Sequence, residues 1–148
     1  MVTINLALTV PINPPGSHPS ITHAQAWSAL VRKAHRPQDF IPVVSSCTIL
    51  TETPTRISSE VSFHPGVGHA RVIREVCTLH APCRIDYELE GGSTAVNTVS
   101  EMPGGELVLT FVFGWVHPEI REGSEDEKRL RAGHIEVELP RVVGVVAC

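Results

Sequence analysis

The stretch that most constrains this chain runs from Arg71 to Trp115. Four segments alternate apolar and polar residues there: Arg71–His80, Cys83–Glu90, Thr94–Met102 and Glu106–Val116. Alternation at a period of two describes half-buried strands, one face on a core and the other on water. The separators are short: Ala81-Pro82, Gly91-Gly92 and Pro103-Gly104-Gly105. Short links pair successive strands antiparallel, as a meander. One face of such a sheet has to be covered. The amphipathic helical segments lie outside the run, one before it and one near the C-terminus. A curved antiparallel sheet closed over a helix encloses a cavity suited to a small apolar molecule.

The flanking sequence completes the order. Val2–Ile12 alternates weakly and reads as a first strand, ended by Pro11, Pro14 and Pro15. Thr22-His-Ala-Gln25 is a capping-box pattern, hydroxyl first and amide three later. Trp27, Leu30, Val31 and Ala34 follow at helical spacing, and Pro37 closes that helix near Arg36. Val43–Glu52 and Thr55–Phe63 read as strands joined at Thr53-Pro54. His64–Gly68 reads as a loop. After His117-Pro118 the chain turns polar, and Ser124-Glu-Asp-Glu127 forms a second capping box with acids where the helix dipole favours them. Leu130, His134 and Val137 share a face of the helix that follows. Ile135, Leu139, Val142, Val143 and Val146 make an adjoining stripe. Gly133 weakens this helix and Pro140 kinks or interrupts it. The order is one strand, a helix, six strands and a kinked helix, expected to form a single domain over residues 1–148.

Several function classes are excluded. A net charge of −4 with no basic run argues against nucleic acid. The apolar stretches are too short to cross a bilayer, so no membrane partner is expected. Met1–Pro15 has no basic leader and carries Asn5, Asn13 and three prolines, so a secretory signal is not expected and the location is read as cytoplasmic. The four cysteines form no CxxC pair, and the eight histidines show no HxH, HExxH or His-with-Cys spacing. No metal site is expected. No glycine-rich loop follows a strand and opens a helix, which argues against NAD, FAD or ATP, and no cofactor is expected. Ser45-Ser46 and Ser58-Ser59 lack a nucleophile elbow. Exposed Val108 and Val112 leave both a monomer and a homodimer open.

Alternation also assigns faces. Ile73, Glu75, Cys77 and Leu79 share one face of their strand. If that face looks inward, Glu75 is a buried carboxyl with a raised pKa, able to move a proton near neutrality. The alternative is an ion pair with Arg56, Arg71 or Arg74. Leu107, Leu109, Phe111, Phe113 and Trp115 form the larger apolar side of the last strand. They make an aromatic wall for a flat ligand, or plain core packing, or one at each end. Trp27 and Phe40 close the pocket from the small helical region, or each anchors helix to sheet. Asn97 could hold a carbonyl or hydroxyl of the ligand, or bond a neighbouring chain. Tyr87 shares a face with Ile85 and Leu89, and its hydroxyl is a donor or weak acid, or the wet tip of a core tyrosine.

Trp27 with Arg36-Pro37-Gln-Asp-Phe40-Ile-Pro42, then Glu60-Val61-Ser-Phe63, Arg74-Glu75-Val76, Asn97-Thr-Val-Ser100 and Glu106-Leu-Val-Leu-Thr-Phe111 resemble the AtaL-like family of fungi and bacteria, formerly a domain of unknown function. It lies within the START-like, or Bet v 1-like, superfamily of polyketide cyclase type (SRPBCC). The resemblance runs from about Val2 to Val146, carried by order and spacing. It implies an α+β helix-grip fold: a curved seven-stranded antiparallel sheet around a C-terminal helix, with a small N-terminal helical region and a hydrophobic cavity. His134 would then sit in the cavity roof as an acid/base candidate, or on the surface beside Glu138. Two departures stand out. Ser59 occupies a place where the family leads one to expect an Arg, which bears on what the cavity binds. The C-terminal helix stops at Cys148, shorter than usual, which would leave one mouth more open.

The resemblance implies a partner that is a hydrophobic small molecule of secondary metabolism. The reading is a cofactor-free cyclase, isomerase or pericyclase that folds a flexible substrate into its reactive conformer. Glu75, Asn97, Tyr87 and His134 are the catalytic candidates. Trp27, Phe40, Ser59, Ile73, Leu109, Phe111, Phe113 and Trp115 are the binding candidates. The rival reading is a carrier that delivers the metabolite unchanged, and fold alone does not separate the two.

Overall fold

The computed structural model describes residues 1–66 and 71–138. Each expected strand is present, its ends shifted by no more than one residue: β1 (Val2–Pro11), β2 (Val44–Thr53), β3 (Arg56–Phe63), β4 (Val72–His80), β5 (Arg84–Leu89), β6 (Thr94–Glu101) and β7 (Leu107–His117). They form one sheet in the order β1-β7-β6-β5-β4-β3-β2. Every neighbouring pair is antiparallel. The first strand therefore crosses over to pair with the last, leaving β1 and β2 as the two edges. Register shifts at Val44/Ser46 and Ile49/Thr51 break the β2 ladder, and such bulges bend an edge strand.

Helix α1 (His23–His35) starts as its sequence dictates. Thr22 Oγ1 accepts from the Gln25 backbone N–H at 3.2 Å, and Gln25 Oε1 accepts from the Thr22 N–H at 2.9 Å. Pro37 then stops the helix and opens a single 3₁₀ turn, Pro37–Asp39. Helix α2 (Glu125–Gly133) is capped by Ser124, whose hydroxyl accepts from the Glu127 N–H at 3.2 Å. Its box is only half made. The Glu127 carboxylate takes the Gly123 N–H instead, because Gly123 at φ +78° turns that amide toward it. The α-helix ends at Gly133, the residue expected to weaken it, and widens into a π turn, His134–Glu138. The expected kink at Pro140 and the stripe Leu139, Val142, Val143 and Val146 lie outside the described residues.

The core forms where α1 lies on the sheet. Leu30 and Ala34 meet Ile57, Cys77, Ile85, Val99, Leu109 and Phe111. Each large apolar side chain fully buried there contributes roughly 1.5–3 kcal/mol. Ile4 closes the β1 end with no exposure. No described helix is long and apolar enough to cross a membrane.

Candidate functional site

Register lines up a band of polar side chains on the inner face of the sheet. Ser59 lies opposite Glu75, Cys77 opposite Tyr87, and Ile85 opposite Asn97. Directly paired residues share a face, so Ile73, Glu75 and Cys77 look inward with Ser59, Tyr87 and Asn97. Ser59, Cys77, Tyr87 and Asn97 are buried and Glu75 half-buried.

Burial dominates the chemistry of this band. It raises the Glu75 carboxyl above its ordinary range, against smaller lowering effects from the Cys77 thiol and the Lys33 charge. Cys77 Sγ donates to Glu75 Oε1 at 3.5 Å. Burial pushes the Cys77 thiol and the Tyr87 phenol up as well, which keeps both protonated. Glu75 makes no ion pair with Arg56, Arg71 or Arg74 among the described residues; Arg74 reaches Glu60 at 3.3 Å instead. The Tyr87 hydroxyl is sealed from solvent with no hydrogen-bond partner among the described residues. It is not a wet tip. Ser59 Oγ sits by the Cys47 thiol without a well-formed hydrogen bond.

The residue that sequence reasoning missed is Lys33. It projects from α1 over this band and is only 9% exposed. Its Nζ donates to Asn97 Oδ1 at 2.8 Å. The same Nζ stands 5.4 Å from the Phe111 ring centroid and 5.8 Å from that of Tyr87, within cation–π range. Burial pulls its pKa from 10.5 down to about 8, against smaller raising effects from Glu75 and Cys77. The signal was in the helix spacing. Ala26, Leu30, Lys33 and Pro37 fall on one stripe, so a lysine there enters the core along its own aliphatic stem.

Beside Lys33 opens a cavity of about 590 Å³ between α1 and the β1–β7–β6 side of the sheet. Ile12, Ile21, Ala26, Leu30, Phe40, Val99, Leu109 and Phe111 give it apolar walls, with Lys33 set among them. Arg32 is at its exposed side, with its guanidinium 5.1 Å from the Phe40 ring centroid. Of the residues singled out from sequence, Phe40, Leu109 and Phe111 line this space. Asn97 reaches it only through Lys33. Ser59, Ile73, Glu75 and Tyr87 lie behind, on the inner face of the sheet. Trp27 packs against the hydrophobic core and does not line the cavity.

The aromatic wall divides in two. The lower residues, Leu109 and Phe111, face the cavity. The upper ones form a stack running away from it. Phe111 and Phe113 are parallel at 6.3 Å, Phe113 and Trp115 at 4.6 Å, and Trp115 and His134 at 4.0 Å. His134 is therefore buried against β7 rather than on the surface, and outside the cavity lining. Its Nε2 is 3.1 Å from His117 Nε2, so one ring donates and the other accepts. Among the described residues, no three His, Cys, Asp or Glu side chains converge as a metal site.

The family model for AtaL, acetylaranotin biosynthesis cluster protein L, matches residues 6–147. The chain belongs to the AtaL family. A curated member, acetylaranotin biosynthesis cluster protein L of Aspergillus terreus, is 26% identical over 137 residues, covering 93% of this chain and 81% of that protein. Solved structures share the fold at low identity. The di-domain ARO/CYC StfQ of the steffimycin biosynthetic pathway matches at TM-score 0.72 and 14% identity, over 98% of this chain and 49% of that one. The ZhuI aromatase/cyclase of Streptomyces sp. R1128 matches at 0.66 and 16%, over 99% and 93%. The chain spans about half the length of the di-domain proteins it matches. The helix-grip architecture is thus that of these aromatase/cyclases.

Within this AtaL-family domain, Ser59 is fully buried on the inner row of β3. An Arg was expected at that place. The described interior holds a cation all the same, delivered from the opposite side by Lys33 of α1.

Proposed function

We propose that this AtaL-family protein binds a hydrophobic biosynthetic intermediate in the cavity beside α1 and promotes its ring closure or isomerisation without a redox cofactor. Lys33 carries the reading: an apolar cavity that presents one buried, desolvated ammonium is equipped to act on a carbonyl. Membership of a family described by a biosynthesis cluster protein supports it, as does the fold shared with aromatase/cyclases.

The apolar walls select the folded conformer of a flexible substrate, which lowers the entropic part of the barrier. Lys33 Nζ donates to a substrate carbonyl oxygen; as the substrate's own enol carbon attacks that carbonyl carbon, the C=O π bond opens onto the oxygen, which takes a proton from the ammonium, and the amine regains one from the enol hydroxyl. Low dielectric around Phe111 and Tyr87 strengthens that interaction. Asn97 is the positioning residue that fixes where Nζ points. Glu75 lies outside the lining and acts through Lys33, favouring its charged form.

The experiment is metabolite profiling of the source organism with and without this gene, followed by incubation of any accumulated precursor with purified protein. Conversion by the wild type, and loss of conversion in a folded Lys33→Met variant, supports catalysis. Binding of the precursor without conversion by the wild type makes the protein a carrier.

A further inference from the structure

We infer that the ligand of this cavity is an anionic amphiphile: an apolar body with a single oxyanion, a carboxylate or an enolate, that docks on Lys33. The inference rests on reading the cavity as the ligand site, and it names the chemical class that site takes.

The charge pattern around the cavity points this way. Two lining side chains are cationic, Lys33 inside and Arg32 at the exposed side, and no carboxylate lines it among the described residues. A buried charge is normally paired, because removing it from water is expensive. Lys33 is not paired in that sense. Among the described residues its ammonium, with three donors, has one hydrogen-bond acceptor, the neutral Asn97 amide, and two aromatic faces within cation–π range. Glu75 influences it without reaching ion-pair contact. The depressed pKa is consistent with a cation lacking a counter-ion. An oxyanion entering from the cavity would complete its coordination, and the apolar walls would cover the remainder of the molecule. A neutral hydrocarbon or terpene would leave the ammonium as costly as before.

Arg32 fits the same ligand. It is exposed and leans over Phe40 beside the cavity, where it steers anions toward the mouth without being desolvated.

The test compares two fluorescent probes with one aromatic body: anilinonaphthalene sulfonate, which is anionic, and N-phenylnaphthylamine, which is neutral. The wild type should bind the sulfonate at least about tenfold more tightly. Lys33→Met should weaken the sulfonate and leave the neutral probe unchanged, bringing the ratio near one, while Lys33→Arg should keep a preference. Equal binding of both probes by the wild type, or a ratio unaltered in Lys33→Met, overturns the inference. Naphthoate and hydroxynaphthoquinone, offered as competitors, then distinguish a carboxylate from an enolate ligand; displacement by neither also overturns it.

If Lys33→Met does not fold, the wild type suffices. The ratio should fall as pH is raised from neutrality past about 8, where Lys33 loses its proton. Burial keeps Cys77 and Tyr87 protonated through that range. Glu75 is the remaining group facing Lys33, and Glu75→Gln should move the fall to lower pH. A ratio that stays constant across this range overturns the inference. Anion preference without turnover leaves the inference standing and makes the protein a carrier. Turnover of a neutral substrate without anion preference does the reverse.

Discussion

Lys33 of α1 and Asn97 of β6 meet at 2.8 Å, and theirs is the hydrogen bond that joins the cavity to the polar band of the sheet. The pair ties a helix to the sheet it covers through an ammonium and an amide, both buried.

The first prediction concerns pH. The pKa of Lys33 in the folded protein lies below its unfolded value of 10.5, at about 8. Below pH 8 both states carry the proton and the folded state bears the full penalty. Between about 8 and 10.5 the unfolded state holds more protons, so stability rises with pH. The penalty removed is on the order of 3 kcal/mol at most. Urea midpoints of the wild type and Lys33→Met should therefore converge in the variant's disfavour as pH rises. A constant difference would show that Lys33 titrates normally.

Removing the acceptor has a different signature. Asn97→Leu removes the one side chain that hydrogen-bonds the Lys33 ammonium among the described residues and should lower stability by roughly 1–3 kcal/mol at neutral pH. The loss should shrink in alkaline solution, where the amine is neutral. Denaturant titrations at two pH values read this directly.

Glu75→Gln should fold normally, since its carboxylate makes no described ion pair. It removes the largest influence that raises the Lys33 pKa, so that pKa should drop below about 8. Any activity that needs the ammonium should then lose its alkaline side earlier. Abolition of turnover at every pH, with binding retained, would instead make Glu75 a direct proton-transfer group.

Phe40 and Trp27 should separate binding from stability. Phe40 lines the cavity, and Phe40→Ala should weaken a bound apolar probe severalfold with little change in melting temperature. Trp27 packs on the core, and Trp27→Ala should destabilise by about 3 kcal/mol or less, being only half-buried, without altering probe affinity in the folded protein. Fluorescence titration and thermal melts check both.

His134 serves as a stacking surface for Trp115 at the end of β7. His134→Ala should remove about 2 kcal/mol of packing and shift Trp115 emission. His134→Phe should restore much of the stack while losing the bond to His117. Equal loss in both variants would place the value of His134 in its nitrogens.

The strands were legible because period-two alternation is a property of the sequence itself; the pairing of β1 with β7 was not, and came only with the family resemblance. Alternation put Ile73, Glu75 and Cys77 on one face, but which face looked inward was settled only by the sheet's pairing and burial. Thr22 and Gln25 announced α1 by their spacing. Lys33 was not legible, because composition-based reasoning puts lysine in water and the stripe around it was read through its apolar members alone. The position of the cavity was also hidden. It depends on how α1 lies over β6 and the cavity, which left Phe111 lining the space and Trp115 outside it. The π turn at His134 had no local signal beyond Gly133.

The ring column from Phe111 to His134 begins at the cavity and ends at the helix that leads toward the C-terminus. One of the chain's two tryptophans is a rung of it. A molecule that settles against Phe111 should alter Trp115 emission through Phe113, and a fluorescence titration of a Trp27→Phe variant checks it. Occupancy of the cavity would then be readable without any label.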